Sequence, residues 1–305
     1  MIDLKNNGIS EPNLKSRLLM QFILDKPRQY LIVYDNQQLT LRQEVDYFKA
    51  IKKLTKGIPI QHITHSQEFM KMNFYVNNDV LIPRPDTEIL VEEVIKIAKK
   101  INAKKILDLC TGSGAIAVSL AKYIENSKIT AVDISKKALN IAKTNAKKNN
   151  VENQITFVES NLFQNLAKEK YDIIVSNPPY IKKEIIKTLD NEVQKEPEIA
   201  LDGGYDGLDF YRKIIHNSDE YLKFNGYLCL EIGYDQKQDV IDLIENEKKY
   251  IDTYCKKDLY ENDRVIVTKL SWNFLGQARK VSEKDVLGQA KNVHEWDFFG
   301  LSQKV

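Results

Sequence analysis

The sequence is poor in the residues that build metal centres and disulfide frameworks. Its 305 residues include only three cysteines and four histidines. Cys110, Cys229 and Cys255 are widely spaced and form no Cys-x-x-Cys pair, which argues against a zinc site and against a disulfide framework. His62 and His65 could share one face of a helix, but no third ligand lies nearby in the sequence. We therefore expect a protein without a bound metal.

The sequence also lacks an excess of one charge and any long apolar run. It has 45 basic and 43 acidic residues, whereas proteins that bind nucleic acid broadly usually carry a strong basic excess. No apolar stretch approaches the roughly 18 residues of a transmembrane helix, and the first five residues lack the basic-then-apolar order of a signal peptide. These absences predict a cytoplasmic protein that binds neither a membrane nor, directly, a nucleic acid.

Residues 1–65 have the periodicity of helices. Apolar residues recur at helical spacing from Leu14 to Ile23 and again from Leu41 to Leu54. The second helix is predicted to begin with a capping box of Thr40 and Gln43 and to stop at Gly57. We expect both apolar stripes to form the core of a small helical domain.

Residues 66–86 are predicted to form a hairpin that links this domain to the next. The segment from Glu68 to Val76 roughly alternates, residues 77–79 have turn composition, and residues 80–82 are extended again. A rigid stretch, Pro83 to Glu88, then begins an amphipathic helix with acidic residues in its first turn. This stretch is explained about equally well as a helix cap and as a ligand-facing segment.

Residues 87–270 alternate between strand and helix patterns, which is typical of a doubly wound α/β sheet. The seven predicted strands cover residues 105–109, 129–133, 155–159, 171–176, 227–231, 251–254 and 265–269. Three helices are predicted between them, at residues 115–123, 135–148 and 238–247. The sequence therefore predicts a seven-stranded, Rossmann-like α/β domain preceded by a helical one.

The last segment, residues 271–305, has a different pattern. Leu275–Val281 recurs twelve residues later as Leu287–Val293. Two copies are too few to build a repeat domain. We expect an appended tail and assign no role to it.

A glycine-containing turn after the first strand predicts a nucleoside-containing cofactor. Gly112 and Gly114 allow a tight turn and a close approach of the backbone to a ligand at the start of a helix. Asp133, which ends the second strand, is placed to accept hydrogen bonds from ribose hydroxyls. With Ala117 the glycines also fit the dinucleotide fingerprint, but Asp108 would repel a pyrophosphate and suit a cationic amino-acid group. S-adenosylmethionine has a ribose and an ammonium and carries no phosphate, so it fits this pattern.

The tetrapeptide Asn177-Pro178-Pro179-Tyr180 directly follows the fourth predicted strand. The two prolines fix the backbone in an extended form, remove two N–H donors and leave carbonyl groups that no local N–H claims. Asn177 adds a side-chain acceptor, and Tyr180 adds a flat ring with a polar end. Such a loop can hold a planar –NH2 group between two acceptors and a stacked ring. The simpler alternative is that the prolines only end the strand.

Several motifs together resemble one enzyme family. Asp108–Gly114 resembles the first motif of class I S-adenosylmethionine-dependent methyltransferases, with Cys110 where a glycine often stands. The loop at Asn177 resembles that of enzymes that methylate planar nitrogens of adenine or glutamine. With Leu81–Glu88 and Glu196–Leu208 added, the sequence is similar to the peptide chain release factor glutamine methyltransferase family, or HemK family, over roughly residues 10–270.

This resemblance implies methyl transfer to the side-chain nitrogen of the glutamine in the Gly-Gly-Gln motif of release factors, modulating translation termination. It implies that Asn177 Oδ1 and the Pro178 carbonyl accept the two amide hydrogens, that Tyr180 stacks on the amide, and that no general base is needed. We expect the helical domain to dock the protein substrate. A ribosomal-protein glutamine methyltransferase, a nucleic-acid adenine N6 methyltransferase and a non-catalytic cofactor-binding protein remain alternatives.

The site residues predicted on this basis fall into three overlapping groups. The predicted cofactor-binding residues are Asp108, Thr111, Gly112, Gly114, Asp133, Asn161, Leu162 and Asn177. The predicted substrate-binding residues are Arg84, Glu88, Asn177, Pro178, Pro179 and Tyr180. Within the second group, Asn177, Pro178 and Tyr180 are predicted to be catalytic.

Overall fold

Helices form the first part of this computed structural model, which describes Leu4 and residues 7–271. They are α1 (Pro12–Leu24), α2 (Arg28–Val33), α3 (Leu41–Leu54) and α4 (Ile60–Thr64). The predicted capping box of α3 is present, because Thr40 Oγ1 accepts the Gln43 N–H at 3.3 Å and Gln43 Oε1 accepts the Thr40 N–H at 2.9 Å. The predicted tail lies, apart from Ser271, outside the described residues.

Only part of the two apolar stripes is core. Leu19, Ile51 and Leu54 are buried and pack in one cluster with Leu4. Leu14 and Ile23 are half-buried. Five other large apolar side chains of the stripes are exposed to between 37 and 77%: Leu18, Phe22, Leu41, Val45 and Phe48. The prediction that both stripes are entirely core is wrong for these residues. In so small a unit each helix is covered by its neighbours on one side only, so a wide stripe cannot be buried completely.

The hairpin is shorter than predicted and turns at a different place. Its strands are β1 (Gln67–Phe69) and β2 (Met72–Phe74), which pair antiparallel. Met70 and Lys71 form the turn and both have positive φ. The predicted turn at residues 77–79 is present, because the Val80 N–H donates to the Asn77 carbonyl at 3.3 Å, but it joins no hairpin strands, and the predicted strand at 80–82 is wrong. A tertiary contact fixes the observed turn, because the Met70 N–H donates to Glu88 Oε1 at 2.6 Å.

A mixed sheet forms the larger part of the structure, and the predicted fold class is confirmed. The remaining elements are α5 (Pro85–Ile101), β3 (Lys105–Leu109), α6 (Ala115–Tyr123), β4 (Lys128–Asp133), α7 (Lys136–Lys148), β5 (Ile155–Glu159), β6 (Tyr171–Ser176), α8 (Asp209–Asn217), β7 (Leu222–Glu231), α9 (Lys237–Asn246), β8 (Tyr250–Lys257) and β9 (Asp263–Leu270). The seven strands lie in the order β5-β4-β3-β6-β7-β9-β8, and β9 is antiparallel to both its neighbours.

Two details of this domain differ from the sequence prediction. Helix α8 was not predicted, although its apolar residues have helical spacing and its Tyr211 is completely buried. Strand β7 begins at Leu222, five residues before the predicted start at Tyr227. Asn225 and Gly226, a pair typical of turns, lie inside this strand, where Asn225 has a φ of 64°. Turn composition at this pair therefore does not end the strand, which continues to Glu231.

Helices on both faces of the sheet bury two apolar clusters and do not cover the edge at which the parallel strands end. One cluster joins α5 and α6 to the sheet, and the other joins α8 and α9 to the opposite face. The strand order reverses between β3 and β6, whose carboxyl ends meet at the same edge. In open α/β sheets ligands bind outside this point of reversal.

Candidate active site

A cavity opens at the carboxyl edge of the sheet, where β3, β4 and β6 end. Among the predicted site residues it is lined by Gly112, Asp133, Asn161, Leu162, Asn177 and Pro179. The structure does not bring the other predicted residues onto its surface: Asp108, Thr111, Gly114, Pro178, Tyr180, Arg84 and Glu88. The predicted residues thus divide into a lining group and a group that lies behind or beside the lining.

Asp133 is held with its carboxylate at the cavity surface. Its Oδ2 accepts the Gly112 N–H and its Oδ1 accepts the Ser135 N–H, both at 2.8 Å. Burial raises the pKa of Asp133, and these two hydrogen bonds oppose the increase. Each oxygen keeps a further lone pair for another donor. The carboxylate therefore has the geometry to accept hydrogen bonds from a diol.

Asp108 lies behind the cavity and is completely buried. Its Oδ2 accepts the Thr111 hydroxyl at 2.6 Å and the Ala117 N–H at 3.2 Å, so it joins the glycine turn to the first turn of α6. Burial raises its pKa to about 7. Its Oδ1 is buried without a hydrogen-bond partner among the described residues. The predicted contact between Asp108 and a cationic group depends on Oδ1 and stays a prediction.

The turn between β3 and α6 depends on unusual backbone conformations. Cys110, Gly112 and Gly114 have φ values of 60, 55 and 79°. A Cβ at Gly114 would lie 2.9 Å from the Cβ of Ala142, so both the conformation and the space require glycine there. Cys110 adopts the left-handed conformation despite its side chain, which explains why a glycine is common at this position.

The Asn177-Pro178-Pro179-Tyr180 loop is held by contacts behind it. Asn177 Nδ2 donates to Thr87 Oγ1 at 3.2 Å, and its Oδ1 makes no hydrogen bond within the described residues. Within the same residues no backbone N–H donates to the Pro178 carbonyl. Both acceptors of the predicted amide contact are therefore free.

Tyr180 is fixed at both its backbone and its hydroxyl. Its carbonyl accepts Gln236 Nε2 at 3.0 Å, and its hydroxyl donates to Glu231 Oε1 at 3.4 Å. Burial and the charge of Glu231 raise the pKa of Tyr180, so the phenol is neutral near neutral pH. Its ring packs beside the cluster around α8 and does not line the cavity, and its predicted stacking on a substrate amide stays a prediction.

Arg84 and Glu88 form structural contacts. The Arg84 guanidinium pairs with the buried carboxylate of Glu196, whose Oε2 also accepts the Ile82 N–H at 2.8 Å. Glu88 accepts the Met70 N–H in the hairpin turn. Neither contact caps α5, whose N-cap residue Arg84 makes no side-chain capping bond, and substrate binding by Arg84 and Glu88 stays a prediction.

Part of the cavity wall was missed in the sequence. It comes from three segments, whose lining residues are Asp79, Val80 and Leu81, then Pro197, Ile199 and Ala200, and finally Phe210 and Lys213. The first begins at the last residue of the predicted turn, and the second lies within the motif Glu196–Leu208 that carries the family resemblance. The third belongs to the unpredicted helix α8, whose apolar spacing was the available signal.

Within residues 7–271 no helix is long and apolar enough to cross a membrane. In the same part of the chain no three His, Cys, Asp or Glu side chains are grouped in a way that could hold a metal ion. The polar side chains at the cavity are the carboxylates of Asp79 and Asp133, the amides of Asn161 and Asn177, and single side chains of other types: Cys110, Ser135, Ser160 and Lys213.

Three features together define a class I methyltransferase. They are the reversed strand order at a glycine turn, the acidic end of the neighbouring strand and the Asn-Pro-Pro-Tyr loop. The Methyltransferase small domain model matches residues 85–204, and the PrmC N-terminal domain model matches residues 3–64. The chain is 42% identical over 258 residues to the release factor glutamine methyltransferase of Clostridium acetobutylicum, covering 83% of this chain and 89% of that protein. It belongs to the release factor glutamine methyltransferase family, as the sequence motifs predicted.

Two further relatives are similar. The release factor glutamine methyltransferase of Clostridium botulinum is 40% identical over 266 residues, covering 86% of this chain and 94% of that protein. A crystal structure from Alicyclobacillus acidocaldarius, described as a release factor-specific protein-(glutamine-N5) methyltransferase, is 30% identical with a TM-score of 0.40. The match covers 65% of this chain and 100% of that one.

Proposed function

We propose that the protein methylates the side-chain nitrogen of the glutamine in the Gly-Gly-Gln motif of peptide chain release factors. The observation that carries this proposal is the Asn177 amide, which is anchored through Nδ2 to Thr87 and keeps Oδ1 uncommitted beside the cavity. The Pro178 carbonyl is a second free acceptor within the described residues. Two acceptors from consecutive residues would suit the two hydrogens of a primary amide. The names of the relatives point to the same substrate.

The methyltransferase family uses S-adenosylmethionine in general, and it would supply a methyl group activated by a sulfonium. The lining residues fit this cofactor, because the Asp133 carboxylate would accept hydrogen bonds from its ribose and Gly112 would provide backbone at the turn. The predicted partner of the ammonium group is Asp108 Oδ1, which lies behind the cavity surface, so this group would have to pass the glycine turn to reach it. Leu162 and Phe210 would contact the apolar face of the base. Asn161 would provide polar groups at the same wall.

The chemistry assigned to this chain is orientation. An amide nitrogen is a poor nucleophile, because its lone pair is delocalised into the carbonyl group. Asn177 Oδ1 and the Pro178 carbonyl would each accept one amide hydrogen, which holds the nitrogen toward the methyl group. The same acceptors stabilise the positive charge that develops on the nitrogen. The proton can leave after the transfer, so no general base is assigned.

We further propose that the helical domain contacts the body of the release factor. Leu41, Val45 and Phe48 lie on one face of α3 by their spacing and are 43–77% exposed. Large exposed apolar side chains at helical spacing are suited to a protein partner. Because the proposed substrate is a cytoplasmic translation factor, the enzyme would act in the cytoplasm.

The test is methylation of purified release factor with labelled S-adenosylmethionine, followed by mapping of the modified residue. Label on the Gly-Gly-Gln glutamine, absent from a release factor in which that glutamine is alanine, is the expected result. Ribosomal proteins and adenine-containing DNA serve as competing substrates in parallel reactions. Label that reaches one of these and spares the release factor would contradict the proposal.

A further inference from the structure

A buried polar cluster lies directly behind the Asn-Pro-Pro-Tyr loop. Thr87, in the first turn of α5, is 4% exposed, and Glu231, the last residue of β7, is 1% exposed. Thr87 accepts the Asn177 amide at 3.2 Å, and Glu231 accepts the Tyr180 hydroxyl at 3.4 Å. The two buried residues thus hold the first and last members of the loop from one side.

Thr87 and Glu231 also interact with each other. Oε2 of Glu231 is buried without a partner of regular hydrogen-bond geometry among the described residues. The two residues nevertheless share one neighbourhood, because Ser176 and Leu230, which precede Asn177 and Glu231, pair in register, and the Thr87 hydroxyl lowers the pKa of the Glu231 carboxyl. The contact is therefore looser than a regular hydrogen bond, but it gives the hydroxyl hydrogen an acceptor inside the protein. An isolated buried carboxylate oxygen would otherwise cost several kcal/mol.

The number of hydrogens available at Thr87 and Glu231 then decides which end of the Asn177 side-chain amide faces Thr87. An ionised carboxylate only accepts, so the single hydrogen of the Thr87 hydroxyl is directed at Glu231. The Thr87 oxygen can then only accept from Asn177, and Asn177 must turn its –NH2 group toward Thr87. A flipped amide would place Oδ1 against an oxygen that has no hydrogen to give.

We propose that Thr87 and Glu231 are positioning residues that turn the Asn177 amide so that its acceptor, Oδ1, faces the cavity. This inference rests on the proposed function, in which Oδ1 must accept a hydrogen of the substrate amide. With the amide flipped, a donor would face the donor –NH2 of the glutamine, and the substrate could not be aligned.

Protonation of Glu231 would loosen this arrangement. Burial, with a smaller contribution from Asp86, raises the pKa of Glu231 to about 7, against the opposing effects of the Thr87 hydroxyl, Arg264 and Tyr180. The remaining titratable group that faces it is the buried phenol of Tyr211 on α8. Once protonated, Glu231 can donate to Thr87, which frees the Thr87 hydrogen for Asn177 Oδ1. The oriented state is therefore present above about pH 7 and lost as the pH falls through that value.

Three variants test the proposal in the methylation assay on release factor. Thr87→Val removes the hydroxyl at nearly constant volume and is expected to lower kcat about 10- to 100-fold, with unchanged affinity for S-adenosylmethionine by calorimetry. Thr87→Ser restores the hydroxyl and is expected to recover most of kcat. Thr268→Val is the matched control, because Thr268 is also buried and its hydroxyl bonds, among the described residues, to Thr253 and Ile251 at the far strands. A Thr87→Val enzyme with wild-type kcat, or a loss that Thr87→Ser does not recover, would overturn the inference.

Glu231→Gln tests the charge and keeps the inference falsifiable if Thr87→Val does not fold. The kcat of the wild type should fall with decreasing pH between about pH 8 and pH 6, and Glu231→Gln should remove that dependence. An unchanged pH profile in Glu231→Gln would refute the role of the carboxylate.

A further measurement needs no methyl acceptor, so it separates this inference from the proposed function. The side-chain amide NMR signals of Asn177, assigned by their loss in Asn177→Asp, should titrate near pH 7 in the wild type and not in Glu231→Gln. Titration without methylation of release factor would contradict the proposed substrate and support the positioning role of Thr87 and Glu231. Methylation without any such titration would contradict the positioning role of Thr87 and Glu231 and leave the proposed substrate standing.

Discussion

Replacing Asn177 by alanine is expected to lower kcat by about 10²–10³, which corresponds to about 3–4 kcal/mol of transition-state stabilisation. The substitution removes the Oδ1 acceptor at the cavity and the 3.2 Å hydrogen bond to Thr87. It leaves Asp133 and the glycine turn, which belong to other strands, in place. The loss should therefore fall on kcat, since the contact matters most as the nitrogen becomes pyramidal.

Asn177→Asp separates the acceptor from the anchor. Aspartate keeps an oxygen of the same size at the cavity but cannot donate to Thr87. It would instead compete with Glu231 for the single Thr87 hydrogen, and the two carboxylates would repel each other. We expect partial activity from the aspartate variant and almost none from the alanine variant.

The assay is single-turnover methylation of release factor at saturating cofactor, with calorimetry of S-adenosylmethionine binding to each variant. Unchanged cofactor affinity confirms that the cavity is intact. A wild-type rate in Asn177→Ala would mean that the two prolines only end strand β6. An alanine variant whose whole loss lies in KM would show that the loop binds glutamine without orienting it.

Four other perturbations test the rest of the structure. Asp133→Ala should weaken S-adenosylmethionine binding by about 1.5–3 kcal/mol in calorimetry, and an unchanged affinity would remove Asp133 from the site. Gly114→Ala should lose cofactor binding and melt at a lower temperature, because its Cβ would lie 2.9 Å from that of Ala142; a normal melting curve would contradict this. Leu41→Asp with Phe48→Asp should raise KM for intact release factor and leave cofactor affinity unchanged, whereas Leu259→Asp, at a side chain 97% exposed, is the control. Burial raises the Asp108 pKa to about 7, so the wild type should lose on the order of 2 kcal/mol of stability relative to Asp108→Asn as the pH rises from about 5 to 8. If the unfolding free energies of the two proteins, measured with denaturant, change equally with pH, this expectation is refuted.

The parts of the site that directly follow a strand could be predicted from the sequence. Gly112, Asp133 and Asn177 are placed by short apolar runs whose ends meet at one edge of a parallel sheet. Helix α6 was also predicted with its observed bounds, Ala115–Tyr123. In these cases the local pattern and the topology agree, so no distant contact is needed to place the residue.

The features that depend on distant contacts could not be predicted. The hairpin turn at Met70 is fixed by Glu88, and the segment before α5 is fixed by Glu196, which lies 112 positions after Arg84. The exposure of Leu41 and Phe48 likewise depends on how few helices surround α3, and periodicity alone does not contain that information. Periodicity shows which face of a helix is apolar, but tertiary packing decides whether that face is covered.

The orientation of Asn177 is the clearest example of this limit. The tetrapeptide shows that an amide and two prolines follow strand β6, but either end of that amide could face the substrate. The choice depends on Thr87, 90 positions earlier, and on Glu231 at the end of another strand. Neither residue was predicted to act at the site, because a threonine in a helix start and a glutamate after an apolar strand have ordinary structural roles. A motif therefore identifies the group that contacts the substrate, and only the fold shows which of its atoms is free to do so.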